Sequence, residues 1–282
     1  MALLTALTNQ PRIGIVMTGL LARQWGTGAR PLIVLHGGPA AAGDVGPLAR
    51  ELGKRWHVLE PFQRGSGGRP LTVATHVQDL DGLIRDRCGT GRPILIGHSW
   101  GAMLGLAYAA AHPDTSAGLV LIGCGTFSAS ARKEFEARLD ARLTSEDREA
   151  LASIRQSEPD ADHQFAARGR IMTRVYGYDI GDVPNEPATI DAVAHEQTWA
   201  DMKRLQADGT YPAAFATINL PVLMLHGEAD PHPGRATMED LRKYIPQLRY
   251  CEFPRCGHSP WLERQAREPF FRELSSWISA VS

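Results

Sequence analysis

Four runs in this chain are only five or six residues long yet apolar almost throughout: Pro31–His36 (PLIVLH), Pro93–Gly97 (PILIG), Ala117–Ile122 (AGLVLI) and Pro221–His226 (PVLMLH). A strand that alternates apolar and polar residues can leave one face in water, whereas a strand apolar on both faces must be covered on both. Longer amphipathic stretches lie between these runs. Thr75–Cys88 carries Val77, Leu80, Leu83 and Ile84 at helical spacing. The alternation predicts an α/β chain, a mostly parallel central sheet flanked by helices on both faces. Trp56–Pro61 and Leu248–Phe253 read as further strands, and Val45–Lys54, Trp100–His112 and Trp261–Ala280 as helices.

The rhythm breaks between residues 126 and 217. Helical patterns occur there, at Ala131–Leu143 and Glu146–Arg155, with a Pro- and Asp-rich loop at Asp179–Pro187, but no strand pattern. Roughly 90 residues is far too long for an ordinary connection. The predicted organisation is therefore a core built from residues 1–125 and 218–282, with a helical cap, residues 126–217, inserted late in the sheet.

Charge and composition exclude several function classes. Thirty basic side chains against thirty-one acidic ones give a net charge of −1, so no global positive field exists to hold a nucleic acid or an anionic membrane. No apolar run reaches the roughly 18 residues of a membrane span. The opening segment, MALLTALTNQPR, has no basic residue ahead of its apolar run, unlike a secretory signal. Cys88, Cys124, Cys251 and Cys256 form neither a CxxC pair nor a zinc spacing. A cytoplasmic protein with reduced thiols, acting on a small-molecule substrate without metal or cofactor, is the expectation. The oligomeric state is not set by the sequence.

The pentapeptide Gly97-His98-Ser99-Trp100-Gly101 carries the most chemistry. It fits G-x-S-x-G and stands between a buried strand and a helix, the context in which that pattern works. A sharp strand-to-helix turn lifts the serine hydroxyl above the sheet edge, and the helix start offers free N–H groups to a developing oxyanion. A side chain at Gly97 or Gly101 would collide with neighbouring backbone.

A serine hydroxyl is a weak nucleophile and needs a base held by an acid. In this architecture the chain order is Ser, then Asp or Glu, then His. Asp230 follows the strand Pro221–His226 and His258 follows the strand Leu248–Phe253, each in a loop at a strand's carboxyl end. Glu228 is the rival acid. At the earlier strand end, His36-Gly37-Gly38-Pro39 lets backbone approach a substrate carbonyl, which assigns the oxyanion donors to the N–H groups of Gly38 and Trp100. His36 itself reads as structural. His226, Glu228, Asp230 and His232 crowd together but match no metal-binding spacing.

The set HGGP (His36–Pro39), QRGSG (Gln63–Gly67), GHSWG, GEAD (Gly227–Asp230) and CGHSPW (Cys256–Trp261) resembles the α/β-hydrolase superfamily over essentially the whole chain outside the cap. HGGP with QRGSG and SWG looks most like its proline iminopeptidase-type branch. The chain differs from that branch at Phe62, where Asp is usual, and at His98, where Gly is typical. The resemblance implies a triad hydrolase: Ser99 as nucleophile, His258 as base, Asp230 as orienting acid. In the branch, cap acids hold the substrate's amino terminus; Glu196, in HEQTW, is the candidate here, and Trp199 a candidate pocket residue. Asp201 lies five positions beyond Glu196, a separation that does not share a helix face, so that pair reads as a solvated surface. Hydrolysis of a carboxylic ester through an acyl-enzyme is the leading expectation. Proline iminopeptidase activity is the alternative, and a non-enzymatic receptor on the same fold the third reading.

Overall fold

Each of the four apolar runs forms a strand buried along its whole length: β3 (Pro31–Leu35), β6 (Ile94–His98), β7 (Gly118–Ile122) and β9 (Val222–Gly227). A computed structural model describes residues 11–15, 20–28, 31–68, 70–183 and 189–281 of the chain. The apolar N-terminal run and residues 184–187 of the expected loop lie outside them. The other sheet strands are β1 (Arg12–Ile15), β2 (Leu21–Trp25), β5 (His57–Pro61) and β10 (Arg249–Phe253), and the order is β1-β2-β5-β3-β6-β7-β9-β10. From β5 to β10 all neighbours are parallel; β1 and β2 are antiparallel additions at one edge.

Alternation along each strand sends successive side chains to opposite faces. Ile33, Leu35, Leu95, Leu119, Leu121 and Met224 join one cluster, while Leu32, Val34, Ile94, Ile96, Val120 and Leu223 join the other. The first face is covered by α2 (Val73–Cys88), α3 (Trp100–Ala111) and α9 (Gly234–Arg242), the second by α1 (Gly46–Leu52) and α10 (Arg267–Val281). The final helix starts later than its pattern predicts. Pro260 opens a short 3-10 turn, Pro260–Leu262, and Glu263 then turns extended. Its carboxylate binds the N–H groups of Gly257, Tyr178 and Asp179, which a continuous helix would not allow.

Between β7 and β9 the chain makes α4 (Ala129–Arg142), α5 (Ser145–Ser157), α6 (Ala161–Tyr176), α7 (Ala192–Ala207) and the single turn α8 (Thr210–Ala213). It also contains a two-residue strand that the sequence pattern does not reveal, β8 (Thr189–Ile190), paired antiparallel with β4 (Ala41–Ala42). No helix among the described residues is long and apolar enough to cross a membrane.

The strands β1 and β2 are absent from the sequence expectation because β2, LARQW, places charge in the interior. Arg23 is buried and donates to the fully buried Glu60 carboxylate through Nε at 2.8 Å and Nη2 at 2.5 Å. Trp25 Nε1 donates to the same carboxylate at 3.3 Å. Removing one partner strands the other charge in the core. Arg23→Met is expected to lose about 3–5 kcal/mol in urea unfolding at neutral pH, while Arg23→Met/Glu60→Met recovers most of it. An unchanged unfolding midpoint in the single variant would show that the pair carries no weight.

Candidate active site

The turn from β6 into α3 is as tight as the glycines require. A Cβ at Gly97 would stand 2.2 Å from the Gly101 carbonyl oxygen, and one at Gly101 2.3 Å from that of Leu35. Between them Ser99 is held at φ 53°, ψ −115°, conformations that side chains avoid. Its N–H donates to the Ile122 carbonyl at 2.8 Å, which fixes the turn to the neighbouring strand. The hydroxyl makes no capping bond; the Ala102 N–H reaches back to the Ser99 carbonyl at 3.1 Å, whereas those of Trp100 and Gly101 precede the first intrahelical acceptor.

The loop after β3 passes beside this serine: a Cβ at Gly37 would lie 3.3 Å from Ser99 Cβ. Gly38 has φ +113°, a conformation suited to glycine. A polar lattice holds the loop in place. His36 is buried and accepts from the Gln63 N–H at Nε2 (3.0 Å); Gln63 in turn donates to the His36 carbonyl (3.0 Å) and accepts from Trp100 Nε1 (2.7 Å). HGGP, QRGSG and SWG are thus one hydrogen-bonded unit, and His36 is structural. His98 fills the space between the rings of His258 (4.7 Å) and Trp261 (4.6 Å), and Phe62 lies under the Arg23 guanidinium (5.2 Å).

Asp230 and His258 come together at the ends of β9 and β10. His258 Nδ1 donates to Asp230 Oδ2 at 2.7 Å, so its Nε2 lone pair faces away from the carboxylate. Asp230 is 1% exposed, whereas the rival Glu228 is exposed to solvent. The same carboxylate accepts from the His232 N–H (2.9 Å) and Nδ1 (3.1 Å), and the fully buried His226 places Nε2 3.2 Å from it. Burial alone would raise the Asp230 pKa, but the three imidazoles outweigh it and hold the carboxyl well below the usual range. For His258 burial is the larger influence and lowers the pKa in spite of Asp230.

Sequence reasoning did not find the surroundings of this pair. His232 stacks on His258 (4.8 Å between centroids) and on Phe135 of α4 (4.4 Å), and Tyr176 of α6 meets the His258 ring edge-on at 5.1 Å. The His258 N–H donates to the Tyr176 carbonyl at 3.0 Å, and Arg142 donates to the Ala229 carbonyl at 2.9 Å. His232, two residues past the acid, carries a faint signal in sequence; the others belong to no motif. Asp230, His232 and His258 offer potential metal-ligand atoms within 4.8 Å of one another, but both Nδ1 atoms are already bound to the carboxylate.

The cap candidates fare differently. Glu196 is exposed and no contact ties it to Asp230 or His258 among the described residues. Asp201 accepts from the Val73 N–H at 2.8 Å and pairs with Arg204, so it fastens α7 to the start of α2. Trp199 is half-buried beneath the Arg132 guanidinium, 5.1 Å from its ring centroid. A separate groove of about 740 Å³ between α1 and α10 is lined by none of the predicted site residues.

Gly123 follows Ile122 and touches the imidazole from below the turn: a Cβ there would stand 2.8 Å from His258 Nδ1, and φ is +54°. Gly123→Ala is expected to push the ring off Asp230 and to lower hydrolytic turnover by about 100-fold, the scale of a small misplacement. Wild-type turnover in a folded variant would contradict this geometry.

Comparison with known proteins agrees with the fold. A family model of the alpha/beta hydrolase fold matches residues 30–265. Proline iminopeptidase from Neisseria meningitidis is 37% identical over 102 residues, 33% of this chain and 32% of that protein, so the match spans about a third of the relative's length. Proline iminopeptidase from Lactobacillus delbrueckii subsp. lactis is 22% identical over 277 residues, 89% of this chain and 91% of that protein. The crystal structure of E-2-(acetamidomethylene)succinate hydrolase superposes with a TM-score of 0.66 at 23% identity, covering 96% of this chain and all of that one (100%). A thermophilic esterase from Thermogutta terrifontis gives 0.63 at 21% identity, covering 96% and 99%. With the order of its strands, its strand–turn–helix serine and a family match over most of its length, the chain belongs to the alpha/beta hydrolase fold family.

Proposed function

We propose that the protein is a serine hydrolase in which Ser99 attacks a substrate carbonyl, His258 takes and returns the proton, and Asp230 holds the imidazole in its Nδ1–H tautomer. The observation that carries this reading is the 2.7 Å bond from His258 Nδ1 to a buried carboxylate, at the ends of β9 and β10 in the same parallel sheet whose β6 leads into the Ser99 turn. The N–H groups of Gly38 and Trp100 receive the oxyanion, and water releases the acyl group from Ser99. Residues 126–217 serve as a cap whose inner side chains select the substrate. The substrate class is a small or medium carboxylic ester.

The similarity to proline iminopeptidases over 89% of the chain favours a second reading, release of an N-terminal proline. That chemistry needs carboxylates around the substrate ammonium, since a desolvated cation is unfavourable without them. Glu196 lies in solvent and Asp201 is committed to Val73 and Arg204, so neither supplies that partner. The ester reading therefore leads.

A panel of p-nitrophenyl esters beside prolyl-p-nitroanilide tests both. Ester turnover is expected, with kcat reduced about 10⁴- to 10⁶-fold in Ser99→Ala. A fluorophosphonate that labels wild type but not Ser99→Ala excludes a receptor that merely keeps the fold. Efficient prolyl release would move the assignment to the second reading, and Ser99→Ala with more than a tenth of wild-type activity would end the first.

The pH profile follows from burial. The base works as the neutral imidazole, so kcat/KM rises as pH passes upward through the pKa of His258. Because that pKa is lowered, the acid limb is expected to have its midpoint below the ordinary histidine value of about 6.5. A midpoint above that value would mean that Asp230 outweighs burial.

A further inference from the structure

Arg132 stands out among the cations near the site. Its Nη2 is buried and has no hydrogen-bond partner, and the side chain forms no ion pair among the described residues. Other arginines of the same helical segment are committed: Arg142 to the carbonyls of Val175, Gly177 and Ala229, Arg174 to Asp147, Arg204 to Asp201 and Asp208. Glu136, one turn along α4, is exposed and does not reach it. Burial draws the guanidinium below the ordinary arginine pKa, against the opposing pull of Glu136 and Tyr176. The side chain also emerges near the N-terminus of α4, the end of a helix that disfavours cations and favours anions.

Its position is tied to the reacting groups. Arg132 and Phe135 are three apart on α4 and share a face. Phe135 stacks on His232 and His232 on His258, at 4.4 and 4.8 Å between centroids. On its other side the guanidinium lies over Trp199 at 5.1 Å, a cation–π contact that holds its plane against the ring. A half-buried guanidinium whose Nη2 has no hydrogen-bond partner, one helical turn from the ring stack, is a donor that a carboxylate of a ligand would satisfy.

We propose that Arg132 binds a free carboxylate of the substrate, so that the preferred substrates are half-esters of dicarboxylic acids. This deepens the hydrolase reading and rests on it. A substrate ammonium would be repelled at the same place.

The test compares mono-p-nitrophenyl glutarate with p-nitrophenyl valerate, which has an acyl chain of the same length and no charge. Wild type is expected to favour the charged ester in kcat/KM, chiefly through KM. In Arg132→Met the charged-to-neutral ratio is expected to fall ten- to a hundredfold, the scale of a charge-assisted hydrogen bond. Arg132→Lys keeps the charge but not the fork, so it should lose part of the ratio; it is read in place of Arg132→Met if thermal unfolding shows that variant to be misfolded. No preference in wild type, or an unchanged ratio in the folded variant, would overturn the proposal. Binding separates this from the chemistry. Calorimetric titration of Ser99→Ala with monomethyl glutarate is expected to give at least tenfold tighter binding than in Ser99→Ala/Arg132→Met. Failure of neutral-ester turnover and of fluorophosphonate labelling would remove the hydrolase reading, whereas equal or absent binding in the two titrations would remove the carboxylate site.

Discussion

A serine at φ 53°, ψ −115° lies where side chains meet their own backbone, a conformation that costs of order 1–3 kcal/mol and persists only where the surroundings over-determine it. Here they do. The sheet is buried on both faces, so β6 cannot shift, and the Ser99 N–H is bound to the Ile122 carbonyl on β7. Helix α3 presses so closely on the sheet that a Cβ at Gly105 would stand 2.8 Å from the Leu119 side chain, while Gly97 and Gly101 leave no room for one at all. Close packing of a small-residue helix on a parallel sheet thus fixes a strained turn. From that turn follow a serine hydroxyl not engaged in capping, the position of the Trp100 N–H at the helix start and the proximity of the Gly37–Gly38 loop.

The second constraint is electrostatic. A buried carboxylate is unfavourable unless its acceptor positions are filled. Asp230 fills them with the His258 and His232 imidazoles and the His232 N–H, with His226 alongside. This arrangement fixes both the carboxylate plane and the His258 tautomer. It relies on backbone contact between the two loops: a Cβ at Gly227 would stand 2.1 Å from the Gly257 carbonyl oxygen, and the Ala229 N–H donates to the Cys256 carbonyl at 2.8 Å. Asp230 and His258 are therefore positioned by strand pairing rather than by side-chain chance. Glu228 points the same lesson from the other side, because its exposed place in that turn offers no such partners.

What the sequence made legible was whatever these two constraints demand locally. Continuous apolar runs announced the central strands; glycine at Gly97 and Gly101 announced the turn; strand ends followed by GEAD and CGHS placed Asp230 and His258. The edge strands escaped because β2 mixes Leu21, Arg23 and Trp25, and an ion pair with Glu60, 37 residues away, buries its charge. Helix α6 escaped because its buried residues are few, Ala167 and Val175. Glu263 looked like one more turn of the last helix. Its three backbone donors come from Gly257, Tyr178 and Asp179, two of them more than eighty residues away, which no local pattern encodes.

Those long-range contacts also explain why substrate preference is the least legible property. The helices between β7 and β9 are fastened to the sheet largely through backbone groups: the Ser66, Leu71 and Val73 N–H groups bind Asp191, Gln197 and Asp201, and the His258 N–H binds the Tyr176 carbonyl. Arg132 and Phe135 contribute through cation–π and ring contacts, and Trp199 also packs against the larger core cluster. The residues of HGGP, GHSWG, GEAD and CGHS can therefore be read from sequence motifs, whereas Arg132, Phe135 and Trp199 can be read only in place.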